Sequence, residues 1–267
     1  MLRDITLGQY YPADSVLHRM DPRTKLFGTM IYIVSLFVCN SWIAYGAAVA
    51  ALAVIIILSK VPVSFMFRGL KAILILLLIS VFFNLFFTSG EVIFQLWFIK
   101  VTREGLRTAV WMAVRLICLV VGASLMTLTT TPNSLTDGLE KSLGFLKAIK
   151  VPVHEIAMMM SIALRFIPIL VEETDKIMKA QMARGADFEE GGLIAKAKAM
   201  IPLLIPLFIS AFRRATELAT AMEARCYHGG EGRTKLKPLR YCVRDYIAYA
   251  VIILFLVLII LIKIIIK

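Results

Sequence analysis

Charge is scarce in this chain, and histidine scarcer. Of 267 residues, 18% are Asp, Glu, Lys or Arg and three are His, against about 25% charged in a typical soluble domain. His18 and His228 have no acidic or Cys companion at ligand spacing, and His154-Glu155 is not followed by a second His three residues on, so no metal centre or His general base is expected. There is no Gly-x-x-x-x-Gly-Lys-Ser/Thr loop to cradle phosphates and no Gly-x-Ser-x-Gly elbow, which excludes unaided nucleotide hydrolysis and serine-hydrolase chemistry. The four cysteines (Cys39, Cys118, Cys226, Cys242) lack C-x-x-C spacing. Cys39 and Cys118 lie in apolar runs and read as small buried hydrophobes. The first 25 residues carry Arg3, Asp4, Asp14, Arg19, Asp21, Arg23 and Lys25, so no apolar core of a cleavable leader follows the start, and none is expected.

What is present is apolar. Hydrophobic residues make up 60% of the chain and the mean hydropathy is +0.82, with the apolar residues gathered into long runs. That excludes a disordered chain and indicates an all-α integral membrane protein of about five transmembrane helices. Leu26 to Leu58 holds no charge and is too long for one span; Asn40-Ser41 breaks it into helices at about 26–39 and 42–58, with Lys60 and Pro62 closing the second. Further spans are expected at about 70–88, 107–130 and 246–266. Residues 91–99 are apolar but too short to cross, and read as interfacial or re-entrant. The organisation is a 1–25 N-terminal segment, helices one to four in 26–130, a polar insert over 131–244 and a last helix in 245–267.

The net charge of +12 does not gather with aromatics on one polar module, so nucleic acid is not indicated. It follows topology instead. Arg19, Arg23 and Lys25 precede the first span, and Lys60, Arg68 and Lys71 separate the second from the third, while the 40–41 turn has none. The N-terminus and the insert are therefore expected in the cytoplasm. Within the spans, Arg115 marks either a pathway or a buried pair, or snorkels to the interface, and Asn84 is a candidate hydrogen bond to a neighbouring helix.

The insert carries 17 Lys+Arg and 12 Asp+Glu, yet holds greasy stretches at 156–171 and 199–212. Each reads as a long helix, apolar first and amphipathic later. The two form either further spans or, the reading preferred here, a helical layer at the cytoplasmic membrane surface. A shift of 41 residues lays 176–185 (KIMKAQMARG) on 217–226 (ELATAMEARC), with Ala183-Arg184 falling on Ala224-Arg225. Gly185 is a natural helix stop, a job expected of Gly229-Gly230 in the second copy. An Arg near a helix C-terminus is favourable without any partner. Two such ends, each a small Ala beside a rigid guanidinium fork, also suit docking to two similar sites.

Several motifs in one order resemble a known family. Residues 18–25 (HRMDPRTK), 163–168 (ALRFIP) leading to 181–185 (QMARG), and 213–215 (RRA) leading to 222–227 (MEARCY) are similar to the opening element and the two signatures of EcfT, the transmembrane coupling component of energy-coupling-factor transporters. The similarity spans nearly the whole chain. It departs at Cys226, where the family has Gly. The resemblance implies a non-enzymatic, multi-pass subunit of a bacterial plasma membrane that binds no cofactor itself, with ATP and Mg on its partners. Those partners would be two ABC-type ATPases, identical or homologous, and one or several interchangeable small membrane subunits that capture a vitamin or metal ion. Ala183, Arg184 and Gly185 would dock one ATPase, and Ala224, Arg225 and Cys226 the other. Met158, Met159, Met160, Ile162, Phe166, Met200, Leu203, Leu204 and Leu207 would form the surface for the substrate subunit, adaptable Met suiting shared docking. The competing class is a self-sufficient secondary carrier or channel with Arg115 in its path.

Overall fold

A computed structural model describes residues 10–39, 41–96, 99–186, 188, 192–230, 236 and 238–265. It has two compact units. The larger, 8–138 with 239–267, is a helical membrane bundle built from α1 (Pro22–Val38), α2 (Trp42–Ser59), α3 (Val63–Phe87), α4 (Arg103–Thr129) and α9 (Val243–Ile265).

Local chemistry sets most of its boundaries. α1 opens at Asp21-Pro22: the Asp21 carboxylate accepts from the Arg23 amide and Pro22 stands where a helix needs no N–H. Ser41 caps α2 by accepting from the Ala44 amide, and Lys60, at φ +56°, turns the chain out at its end. α3 starts at Val63, seven residues before the sequence expectation, and its two limbs, Val63–Lys71 and Ile73–Phe87, are bent by 63°. Arg68 and Lys71 fall within its first limb, and a helix entering a membrane tolerates charge there. The described part of 91–99 is extended, not helical. Val92–Leu96 (β1) and Ile99–Thr102 (β2) form an antiparallel hairpin, irregular between Val92 and Phe94. Thr102 then caps α4 by accepting from the Gly105 amide. Gly105 is required by close approach, since a Cβ would stand 3.0 Å from the Leu85 carbonyl oxygen.

Tyr32, Leu36, Ala48, Leu52, Cys118, Leu125 and Leu128 form the bundle core, and Cys39, Ala44, Tyr45 and Ile259 a second cluster. Cys39 and Cys118 are buried free thiols, as their apolar setting indicated. α2, α4, α9 and the later helix Val153–Ala183 are long and apolar enough to cross a membrane, and the two limbs of α3 together make a fifth candidate.

The second described unit runs from Leu139 to Pro238. α5 (Pro132–Ser142), which begins in the larger unit, leads into a 3-10 segment (Leu143–Ile149), followed by α6 (Val153–Ala183), α7 (Leu193–Ala199) and α8 (Ile201–Glu223). The two greasy stretches of the insert are thus the first halves of its two long helices, each with an internal proline, Pro168 and Pro206.

Candidate functional site

The repeated Ala-Arg ends are closed by the same backbone device. At the end of α6 the Ala186 amide donates to the Gln181 carbonyl and the Gly185 amide to Met182, both at 3.0 Å. At the end of α8 the Tyr227 amide donates to Met222 at 3.1 Å and the Cys226 amide to Glu223 at 2.9 Å. Each donor–acceptor pair maps on the other at the 41-residue shift, and both patterns are Schellman motifs. The motif demands a left-handed residue after the Arg. Gly185 supplies it at φ +88°, and Cys226 supplies it at φ +53°. The expected stop at Gly229-Gly230 is therefore corrected. Gly229 is left-handed too, at φ +102°, but the helix has already closed three residues earlier on Cys226. Ala183, Arg184, Gly185, Ala224, Arg225 and Cys226 are all exposed. Among the described residues neither Arg184 nor Arg225 has an ion pair.

α6 and α8 run in opposite senses where they meet. The Glu173 carboxylate takes the Ser210 hydroxyl on one oxygen and the Arg214 guanidinium at 2.9 Å on the other, while the Gln181 amide group reaches the Pro202 carbonyl at 3.4 Å. Leu203 is buried, 4% exposed, which corrects its expected place on an open docking surface. Met159, Met160, Met200 and Leu204 are exposed, and Met158, Ile162, Phe166 and Leu207 half-buried. The sequence reading missed an open apolar stripe on α8, Ile201, Ile205, Phe208, Ile209 and Phe212, which reaches 71% exposure at Phe212. Its spacing of three and four residues is the helical period that would have found it.

In the bundle, the 18–25 element is a structural clamp. Arg23 forks onto Asp21, with Nε to Oδ1 at 3.0 Å and a terminal nitrogen to Oδ2 at 2.8 Å, and lies 3.9 Å over the Tyr241 ring. Burial by itself would raise the Asp21 pKa, but the Arg23 side chain and amide bring it below the usual carboxylate value. Asp245, buried at the head of α9, accepts from the Asp21 amide and from the Cys242 amide, each at 2.9 Å. Lys25 donates to the Thr129 carbonyl at 2.8 Å. His18 Nε2 lies 3.0 Å from the Tyr11 carbonyl, which can only accept, so Nε2 carries the proton and Nδ1 accepts from the Ser15 hydroxyl at 2.7 Å. Burial, aided by the nearby Lys25 charge, lowers the His18 pKa from its ordinary value.

The polar groups inside the spans resolve differently. Arg115 is held in a pair: its Nε and a terminal nitrogen donate to the Tyr45 hydroxyl at 2.9 and 2.6 Å, and Phe37 lies 5.5 Å from the guanidinium. Asn84 does not reach a neighbouring helix. Its amide turns back to the Ser80 carbonyl of its own helix at 2.8 Å.

Comparison with known proteins follows the same features. The family model described as "Cobalt transport protein" (CbiQ) matches residues 13–236. The "Energy-coupling factor transporter transmembrane protein EcfT" of Clostridium kluyveri is 56% identical over 250 residues, 93% of each chain. The protein of the same name from Ruminiclostridium cellulolyticum is 52% identical over 263 residues, 98% of each chain. That of Lactococcus lactis is 48% identical over 261 residues, 97% of this chain and 98% of the relative.

Proposed function

Since this chain belongs to the CbiQ/EcfT family and is a transmembrane subunit of an energy-coupling factor transporter, we propose that it links two ABC-type ATPases to a small membrane subunit that captures a vitamin or metal ion. It performs no hydrolysis; ATP and Mg2+ sit on the ATPases. The exposed Ala183-Arg184-Gly185 and Ala224-Arg225-Cys226 ends dock one ATPase each. The small Ala lets a groove close against the helix end, while the guanidinium carries five donors for carboxylates or carbonyls inside it. α6 and α8 lie at the cytoplasmic membrane surface, where Met158, Met159, Met160, Ile162, Phe166, Met200, Leu204 and Leu207, joined by Ile205, Phe208 and Phe212, receive the substrate-binding subunit.

One observation carries this reading. Two helix ends 41 residues apart share residue pattern, hydrogen-bond pattern and left-handed closure, and both present an Arg with no ion pair among the described residues. A helix that needed only a stop would not require the same exposed guanidinium twice. The test is the double variant Arg184→Glu/Arg225→Glu, made in cells expressing the ATPases. Association with the ATPases is expected to be lost while the chain still inserts into the membrane. Undiminished co-purification overturns the assignment.

A further inference from the structure

The bundle holds an apolar pocket of about 450 Å3, partly open to its surroundings, between α1, α2, α4 and α9. Its inner end is lined by Tyr32, Ala51 and Phe255, and its outer end by Lys25 and Arg244, near where α1 begins and α4 ends. From Arg244 to Phe255 the lining follows α9 for eleven residues, about 16 Å at 1.5 Å per residue. That is about half the ~30 Å hydrocarbon thickness of a bilayer, the depth of one leaflet.

The mouth carries a net positive charge. Asp21 is paired with Arg23, and Asp245, which keeps its charge while accepting from the Asp21 and Cys242 amides, offsets only one of the two remaining cations, Lys25 and Arg244. Among the described residues Lys25 bonds only carbonyl oxygens and Arg244 has no ion pair. Beside them Thr24, which also lines the cavity, has a buried hydroxyl with no hydrogen-bond partner among the described residues. A polar vitamin or a hydrated ion would find no partners along the apolar walls. A single hydrocarbon chain of leaflet length would, and the two cations would face the anionic group it hangs from. Basic pockets between transmembrane helices on the cytoplasmic side suit anionic lipid headgroups.

We propose that this cavity is a binding site for one anionic phospholipid of the cytoplasmic leaflet, with an acyl chain between α1, α2, α4 and α9 and its phosphate at Lys25 and Arg244. The site needs only the membrane orientation, so it stands or falls separately from ATPase docking.

The experiment is native mass spectrometry of the full chain released from nanodiscs holding equal phosphatidylglycerol and phosphatidylcholine. The wild type is expected to retain one phosphatidylglycerol. Ala51→Phe and Ala248→Phe, which fill the cavity from α2 and α9, are expected to lose it. Arg244→Gln, at an exposed position, is expected to keep a lipid but lower the preference for phosphatidylglycerol by about fivefold, the effect of about one basic residue near a membrane surface. Folding of each variant is checked by gel filtration, and the Arg244→Gln arm decides even where a cavity-filling variant misfolds. No retained lipid in the wild type, equal retention of the two lipids, or an unchanged preference in Arg244→Gln overturns the proposal.

Discussion

Replacing Gly185 by Ala and Cys226 by Gly should move the two ends of the repeat in opposite directions. A Cβ built on Gly185 meets nothing within 4 Å, so the cost of Gly185→Ala is conformational alone. An L-residue in the left-handed region costs about 1–2 kcal/mol, and the stiffer unfolded chain returns about 0.4–1 kcal/mol, leaving a net loss of about 1 kcal/mol. Cys226, held at φ +53° with an exposed side chain, already carries that strain, and Cys226→Gly should regain a similar amount. Hydrogen exchange of peptides covering 176–186 and 217–227 reads both, because the Schellman amides of Ala186 and Tyr227 open locally. About 1 kcal/mol is about fivefold in an opening equilibrium. Exchange at Ala186 should be about fivefold faster in Gly185→Ala, and exchange at Tyr227 correspondingly slower in Cys226→Gly. Changes of the same sign, or no change at Ala186, would refute the assignment of positions 185 and 226 to one shared backbone role.

Asp245→Ala should leave the Asp21 and Cys242 amides without acceptors in a buried site, costing about 2–4 kcal/mol; Asp245→Asn keeps one acceptor and should cost about half. Thermal unfolding followed by size-exclusion chromatography would rank the two, and equal stabilities would remove the clamp. Because the His18 pKa is lowered on folding, the unfolded chain binds the proton more tightly. The contribution of the neutral ring is therefore present above the unfolded value and is lost as pH falls through it toward the lower folded value. Melting temperature should fall between pH 7.5 and 5.5, less so in His18→Gln, and identical slopes would contradict this. Glu173→Ala removes a carboxylate shared by Ser210 and Arg214; since Arg214 is more than a third exposed, the loss should be only about 1 kcal/mol, partly restored by the charge swap Glu173→Arg/Arg214→Glu. Loss of ATPase association in Arg184→Glu/Arg225→Glu, scored by co-purification, completes the set.

The helical membrane class was legible because long charge-free runs admit no other solution in a bilayer. The repeat was legible too, since Ala-Arg recurs at a fixed shift. The role of Cys226 was not: cysteine carries no signal for a left-handed backbone, and the nearby glycines looked like the better stop. Hydrophobicity alone does not tell Leu203 from Leu207, and only burial in the folded chain separates Leu203 from the exposed stripe through Phe208 and Phe212. Asp245 stands in the first turn of a helix, where any acid is favourable. Its function depends on an amide 224 residues away, which no local pattern encodes.

Glu173 and Arg214, the ion pair at which α6 and α8 meet, are themselves equivalent positions under the 41-residue shift. Arg184 lies eleven residues beyond Glu173, and Arg225 eleven beyond Arg214, so each arm is about 16 Å long. Antiparallel helices that meet at equivalent residues have a local two-fold axis through the meeting point. A half-turn about that axis carries one Arg end onto the other. Any pair of bodies gripping both ends in the same way must then be related by that same axis, so the chain presents an asymmetric sequence to its surroundings as a nearly symmetric handle. A pair of like bodies related by a half-turn fits it, whereas a head-to-tail arrangement of the same two bodies would leave one Arg end ungripped.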